Sequence, residues 1–219
     1  MASSGLELLW VSAPQLLTGI GRTLGISLLA IVFSSVGGLA YGILRNLGIG
    51  WLDRILLIYL EAFRAIPVLV WLYLFFFGLP IFFGWSIPGF WCAVLVLSLW
   101  GISETGEVVR GALRSIPRGQ REAGLAIGLG LPGLYGRVLL PQALQRMTPP
   151  MINVFTRLIK TSSLAVLIGV VDVIKIGQQI IERTYESVLI YGFLFLFFFL
   201  VCYPLSAASR VLERRWSHS

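Results

Sequence analysis

The chain has 219 residues, 57% of them hydrophobic and only 12% charged, with a formal net charge of +7. A soluble globular domain carries about 25% charged residues, so that class is excluded. The uncharged stretches 24–44, 65–103 and 187–209 are each long enough to cross a hydrocarbon core of roughly 30 Å at about 1.5 Å per helical residue, which makes this a polytopic membrane protein.

The residues before the first uncharged stretch hold no basic n-region, and Glu7 is the one charge among the first 20. The first span is therefore expected to act as an uncleaved anchor. That span, 24–44, contains Gly38 and Gly42 at GxxxG spacing, and Gly21 and Gly25 repeat the spacing just ahead of it. Close helix packing is expected at both pairs. The 39 uncharged residues 65–103 are too long for one crossing, and Gly78, Pro80, Gly84, Pro88 and Gly89 break them into two helices joined by a short apolar turn. Span two is expected to start near Leu56 and to carry Glu61 and Arg64 in its first half. Span three runs from about Phe90 toward Arg110 and carries Glu104 and Glu107. Residues 110–146 hold six arginines and no crossing-length apolar run, so they form the one large extramembrane loop. Residues 147–171 make span four if Arg157 and Lys160 lie within it, and 187–209 make span five.

On alternate sides of five spans the basic residues divide eleven to three, with Arg64, Arg157 and Lys160 inside the spans. The positive-inside rule then puts the N-terminus outside and the C-terminus, with the large loop, in the cytoplasm. Cys92 and Cys202 fall inside apolar spans and His218 stands alone in the tail, so neither a disulfide framework nor a metal site is supported. That composition also supplies no nucleophile, base or metal cluster for a membrane-embedded enzyme.

Charged groups within spans cost about 2.5 to 3.5 kcal/mol each on insertion scales and mark solute or ion paths. Glu61, Arg64, Glu104, Arg157 and Lys160 are accordingly candidates for the path of a zwitterionic solute. Structural readings stand beside that one: Glu61 pairs with Arg64 at i,i+3, and Arg157 and Lys160 share a helix face and snorkel to the interface. Pro67 reads as a kink. An ion-coupled secondary transporter would use such charges equally well, although five spans with one basic loop do not divide into inverted halves.

Residues 119–141 read GQREAGLAIGLGLPGLYGRVLLP: a polar start, a short small-residue helix, a Gly-rich break and a second apolar stretch. Exposed Leu125, Ile127 and Leu129 among arginines suit either a docking surface or a helix lying in the lipid interface. Gly128, Gly130 and Gly133 fit GxGxxG, yet no strand precedes them and Pro132 sits inside, so no dinucleotide site is read.

The pattern Glu122, Ala123, Gly124, Gly128, Val138, Leu140, Pro141 resembles the EAA loop of the integral-membrane subunits of ABC importers, with Gly124 for the second Ala and Val138 for the usual Ile. Residues 17–45, 59–70 (YLEAFRAIPVLV), 107–122 (EVVRGALRSIPRGQRE) and 153–164 (NVFTRLIKTSSL) are similar to the polar amino acid branch of that family. Ala65-Ile66 replaces the branch's usual Gly-Thr before Pro67, and Ser103-Glu104 its usual Ala-Tyr. The resemblance implies an all-α polytopic membrane protein of about five transmembrane helices, a single type-1 transmembrane domain over 1–218 with a core of about 19–208. The cytoplasmic coupling-helix loop, about 119–141, then lies between spans three and four. It also implies two ATPase subunits, a second permease subunit, identical or a sister, an extracytoplasmic amino-acid-binding protein, and the bacterial cytoplasmic membrane as the setting. Coupling to the ATPase would run through Glu122, Ala123, Gly124, Gly128, Leu140 and Pro141. The small Ala123, Gly124 and Ala126 would let the helix enter a partner's cleft, Glu122 would stand at its start, favoured by the dipole, and Gly128 and Gly130 would supply unusual backbone angles. ATP and Mg would belong to the partner, since the chain has no G-x-x-x-x-G-K-[ST] sequence and only Lys160 and Lys175 as lysines. No nucleic acid partner is implied.

Overall fold

The computed structural model describes residues 5–216; His218 and the ends of the expected 1–218 domain lie outside them. All regular structure in the described residues is helical: α1 Gly5–Asn46, α2 Gly50–Ala65, α3 Val68–Tyr73, α4 Leu79–Phe83, α5 Gly89–Ser115, α6 Arg118–Ala126, α7 Leu131–Leu134, α8 Leu140–Thr161, α9 Val173–Thr184 and α10 Ser187–Trp216. Two π-helical segments, Leu74–Gly78 and Tyr135–Leu139, join α3 to α4 and α7 to α8, and a 3-10 segment, Ser162–Ile168, follows α8. Among the described residues four stretches are long and apolar enough to cross a membrane, and a fifth arises if the bent pair Gly50–Ala65 and Val68–Phe83 counts as one span.

Three boundaries differ from expectation, each for a physical reason. α1 starts well before residue 24 and runs for 42 residues, because Arg22 does not end the helix. Its guanidinium donates to the Val171 carbonyl at 3.1 Å, and Pro14 is carried inside the helix. Span two does not run on from Leu56 through Glu61 and Arg64. α2 stops at Ala65, because the residue before a proline is driven out of the helical region, and the chain bends by 103° before continuing as α3. Pro67 is thus the kink expected of it. The large loop is also much shorter than 110–146: α5 continues to Ser115 and the next apolar stretch begins at Leu131, so Leu140 and Pro141 sit in the first turn of α8 rather than in a loop.

The chain divides into two compact units. The first takes residues 5–32, 66–98 and 156–204 of the described chain. Its core gathers Leu16 of α1, Val173, Ile176 and Ile180 of α9, and Ile190 and Leu194 of α10. Gly19 lies against the backbone of Val173, where an added Cβ would stand 2.8 Å from the Cα. Hydroxyls complete the packing: Thr23 Oγ1 accepts from the Val173 N–H at 3.2 Å, and Ser27 donates to the Ser162 hydroxyl at 3.0 Å. The helix α9 was not expected. Its apolar 173, 174, 176, 180 and 181 follow helical spacing, and Asp172 caps it by accepting from the Lys175 N–H at 2.8 Å.

The second unit takes residues 33–65, 99–155 and 205–216 of the described chain. Here Gly38 and Gly42 of α1 meet Thr105 and Val109 of α5, and a Cβ on Gly42 would stand 2.6 Å from the Val109 Cβ. The Tyr41 ring in turn occupies the space over Gly106. The expected close packing is therefore real at this pair. It is absent at Gly21, which meets nothing within 4 Å, and relaxed at Gly25, where the nearest atom is 3.6 Å away on Phe90. Val109, Leu113, Leu134, Leu139, Ala143 and Met147 form the core on which α6 rests.

Candidate functional site

The arginine-rich segment is an ordered helix between two turns. Ile116-Pro117 ends α5, and Pro117 also serves as the N-cap of α6, as the fixed φ of proline allows. At the other end the Leu129 N–H bonds the Gly124 carbonyl at 3.1 Å and the Gly128 N–H the Leu125 carbonyl at 3.0 Å, the two bonds of a Schellman cap. Gly128 holds the left-handed position at φ 80°, as that cap demands, whereas Gly130 is ordinary extended backbone at φ −67° and needs no glycine for its angles.

Only Gly124 of α6 is buried; it lies under Leu134, whose Cδ1 would be 2.6 Å from an added Cβ. A single small residue thus fixes the helix to the core while the rest stays uncovered, including Ala123, Leu125 at 47% exposure and, just beyond the helix, Ile127 at 77%. Glu122 is exposed too, but it is the fifth residue of α6 and not in its first turn, so the expected favourable contact with the helix start is absent. Flanking bonds steady the segment: Arg146 donates to the Ser115 carbonyl and hydroxyl, and Gln142 donates to the Gln120 side-chain oxygen at 3.2 Å.

Sequence reasoning missed the ion cluster beside this segment. Arg45, 3% exposed at the end of α1, bonds Asp53 of α2 at 2.8 Å and Glu107 of α5 at 2.6 Å, and Arg110 reaches the same Glu107 oxygen at 3.4 Å. By sequence, Arg45 and Arg110 read as cations of the loops that follow spans one and three. The spacing of Arg45 to Asp53 spans a turn between two helices, so no single-helix rule exposes it. Tyr41 donates to the Leu56 carbonyl at 2.8 Å, and Asn46 donates to the Tyr135 hydroxyl at 2.8 Å, tying α1 to both neighbours.

Of the intramembrane charges, Arg64 and Glu104 come together, with Nε and Oε1 3.4 Å apart. Arg64 therefore answers the carboxylate on α5 and not Glu61, which is exposed on the same helix; the i,i+3 pairing is corrected. Arg157 and Lys160 do share the exposed face of α8, with Asn153 one turn before them. Glu61, Arg64 and Glu104 belong to the second unit, and Arg157 and Lys160 to the first.

Among the described residues Asp172 is also a buried charge, at 1% exposure. Its Oδ1 caps α9, but its Oδ2 is buried without a hydrogen-bond partner. Burial pushes this carboxyl up from the usual range, against the lowering pull of the backbone N–H groups of Lys175 and Ile174.

Residues 35–218 match the family described as "Binding-protein-dependent transport system inner membrane component". The chain is 36% identical over 209 residues to the glutamine transport system permease protein GlnP of Escherichia coli (strain K12), covering 94% of this chain and 95% of that one. It is 33% identical over 203 residues to the L-cystine transport system permease protein TcyB of Bacillus subtilis (strain 168), covering 92% and 86%. Among solved structures it matches an amino acid ABC transporter crystallised with histidines, with a TM-score of 0.85, 26% identity, and 98% and 100% coverage. These likenesses favour an ABC importer permease over an ion-coupled secondary transporter, and passage of a solute over its chemical conversion. The chain belongs to the family of binding-protein-dependent transport system inner membrane components.

Proposed function

We propose that this chain is the permease of an importer for polar amino acids in the bacterial cytoplasmic membrane, driven by ATP that two partner ATPase subunits hydrolyse. Family membership implies ATPase and binding-protein partners and a second permease. The finer reading adds that the second permease is a copy or a sister, that the binding protein delivers its cargo from outside, and that the N-terminus is outside and the C-terminus inside. The whole of 1–218 then acts as one type-1 domain. ATP and Mg sit on the ATPase, and this chain supplies motion.

The observation that carries the reading is α6, a nine-residue helix whose one buried residue is Gly124, steadied by the Gln120–Gln142 bond and exposed everywhere else. A helix so placed can be gripped by a partner without unfolding the core. Glu122 and Ala123 lie on the exposed surface, Gly124 is the pivot, and Gly128 sets the exit angle. Leu140 and Pro141 open α8, so a push on α6 passes through α7 into a span. Alternating access needs two arrangements of the permease pair, biased by whether ATP has closed the ATPases. Glu61, Arg64, Glu104, Arg157 and Lys160 are the groups proposed to meet the charged ends of an amino acid on its way.

The test separates motor from gate. Ala123 is exposed on α6, so Ala123→Trp places a ring where a partner would close and leaves intact the left-handed Gly128, at which any side chain would be strained. In vesicles holding the full importer, the variant is expected to hydrolyse ATP while losing uptake; coupled uptake at the wild-type rate would refute the role of α6. Cargo is tested by thermal-shift screening of the cognate binding protein with each amino acid, followed by uptake in cells lacking this subunit.

A further inference from the structure

From the cleft beside α6, we propose that this chain carries a specific site for the head group of an acidic phospholipid of the leaflet in which its arginine-rich segment lies. The cleft has a volume of about 450 Å³, and Arg114, Arg118 and Arg121 line it beside Asn46. Leu113 and Leu139, each 5% exposed, form its apolar floor. No carboxylate lines it. The ion pairs of the described residues engage Arg45, Arg64 and Arg110; Arg118 and Arg121 are in none of them, and Arg114 is in none but lies in the field of Asp53.

Three cations held together in a small space repel one another, and an anion between them removes that cost. Charge alone would suit any soluble anion. Two further features select a lipid. The apolar stretches Glu7–Asn46 and Gly89–Ser115 both end at the cleft, which places it where spans leave the hydrocarbon and phosphate groups lie. The floor of leucines then offers the glycerol and upper acyl carbons an apolar wall that inorganic phosphate cannot use. Moreover, α6 opens at the cleft without a side-chain cap, so its first N–H groups add a positive end beside the arginines. Basic pockets between transmembrane helices on the cytoplasmic side are suited to anionic head groups for these reasons. The inference does not depend on which solute is carried.

The experiment uses the full chain in neutral detergent with added dioleoylphosphatidylglycerol or dioleoylphosphatidylcholine, and native mass spectrometry to read retained lipid. The wild-type chain is expected to retain phosphatidylglycerol selectively. Arg114→Gln/Arg118→Gln/Arg121→Gln should retain about a hundredfold less, at about one increment of surface attraction per arginine. Arg54→Gln/Arg137→Gln/Arg183→Gln, with the same change of net charge away from the cleft, should retain it as before. If the cleft variant fails to fold, the corresponding triple Lys variant, which keeps the charges, should still retain the lipid. Equal retention by the Gln cleft variant, or loss from the Lys variant, overturns the proposal. Equal binding of phosphatidylcholine does so as well. Displacement of the lipid by millimolar sodium phosphate would show a soluble-anion site instead, and its expulsion on adding the ATPase partner would show a protein interface; either result also overturns it.

Discussion

The two units of this chain reach their packing by different chemistry. The second is held by charge and by glycine: a buried Arg45 bridging two carboxylates, an Arg64–Glu104 pair, and the close approach of Gly38 and Gly42 to α5. In the first unit the joints are hydroxyls and backbone groups at Thr23, Ser27, Ser162 and Val173, with Gly19 close against Val173 and the Arg22 guanidinium on the Val171 carbonyl, while Asp172 is buried with one oxygen unsatisfied. Ion pairs in a low-dielectric setting are strong only when every member is present, whereas a hydroxyl bond can be lost for about 1 kcal/mol. The unit that bears α6 should therefore fail abruptly, and the other gradually.

The sharpest way to break that contrast is Arg45→Ala. It leaves Asp53 without its cation and Glu107 with Arg110 alone; because Asp53 is 35% exposed, solvent screens part of the loss, which should fall at or below the lower end of the about 3–5 kcal/mol of a fully buried half-removed pair. Thermal unfolding of the purified chain should show the largest drop in stability of the variants considered. Replacing Arg45 together with Asp53, as Arg45→Met/Asp53→Asn, leaves Glu107 paired with Arg110 and should restore part of it, because no carboxylate is then left without a cation. Equal damage from both variants would mean that shape rather than charge holds this corner.

Next comes the glycine contact. Gly42→Leu forces a side chain into Val109 and the Gly106 carbonyl, which stands 2.7 Å from an added Cβ, so overpacking should cost about 1–3 kcal/mol. Gly21→Leu meets nothing within 4 Å and should stay within about 0.5 kcal/mol of wild type in the same unfolding assay. If the two cost the same, GxxxG spacing alone and not the neighbour decides the outcome.

That pair also shows what the sequence could and could not reveal. Both GxxxG pairs have the same spacing, and only the fold says which one has a helix against it. Four apolar spans, the break at 84–88 and the Pro67 bend were legible, because each depends on runs of composition or on one restrictive residue. The Gly128 cap was legible for the same local reason. Arg45 was not: its partners are Asp53, across a turn, and Glu107, 62 residues away. The early start of α1 was hidden because Arg22 reads as a boundary until its acceptor at Val171 is known. Glu104 looked like an unanswered carboxylate in a span until Arg64 of another helix was placed beside it. In each case the missing information is a long-range partner.

A smaller effect is expected in the hydroxyl-bonded unit. Thr23→Val is nearly isosteric and removes the acceptor of the Val173 N–H, so it should cost about 1 kcal/mol in thermal unfolding. A loss as large as that of Arg45→Ala would erase the contrast between the units.

The finest discrimination is by pH, at Asp172. Burial raises its carboxyl above the usual value near 3.9, so the folded chain holds that proton more tightly than the unfolded chain. The stability this gives is fully present below the usual value and is lost as pH rises through the raised one. Arg22, whose guanidinium is bound to the neighbouring Val171 carbonyl, and Lys175, whose backbone N–H bonds Oδ1, are the nearby cations, and neither leads the shift. Asp172→Asn keeps an oxygen for the Lys175 N–H and cannot ionise. The difference in unfolding temperature between variant and wild type should therefore favour the variant increasingly as pH climbs above about 4 and through the raised value. A difference that is flat with pH would show that the buried Oδ2 carries no ionisation cost, and that the first unit tolerates a charge as readily as the second.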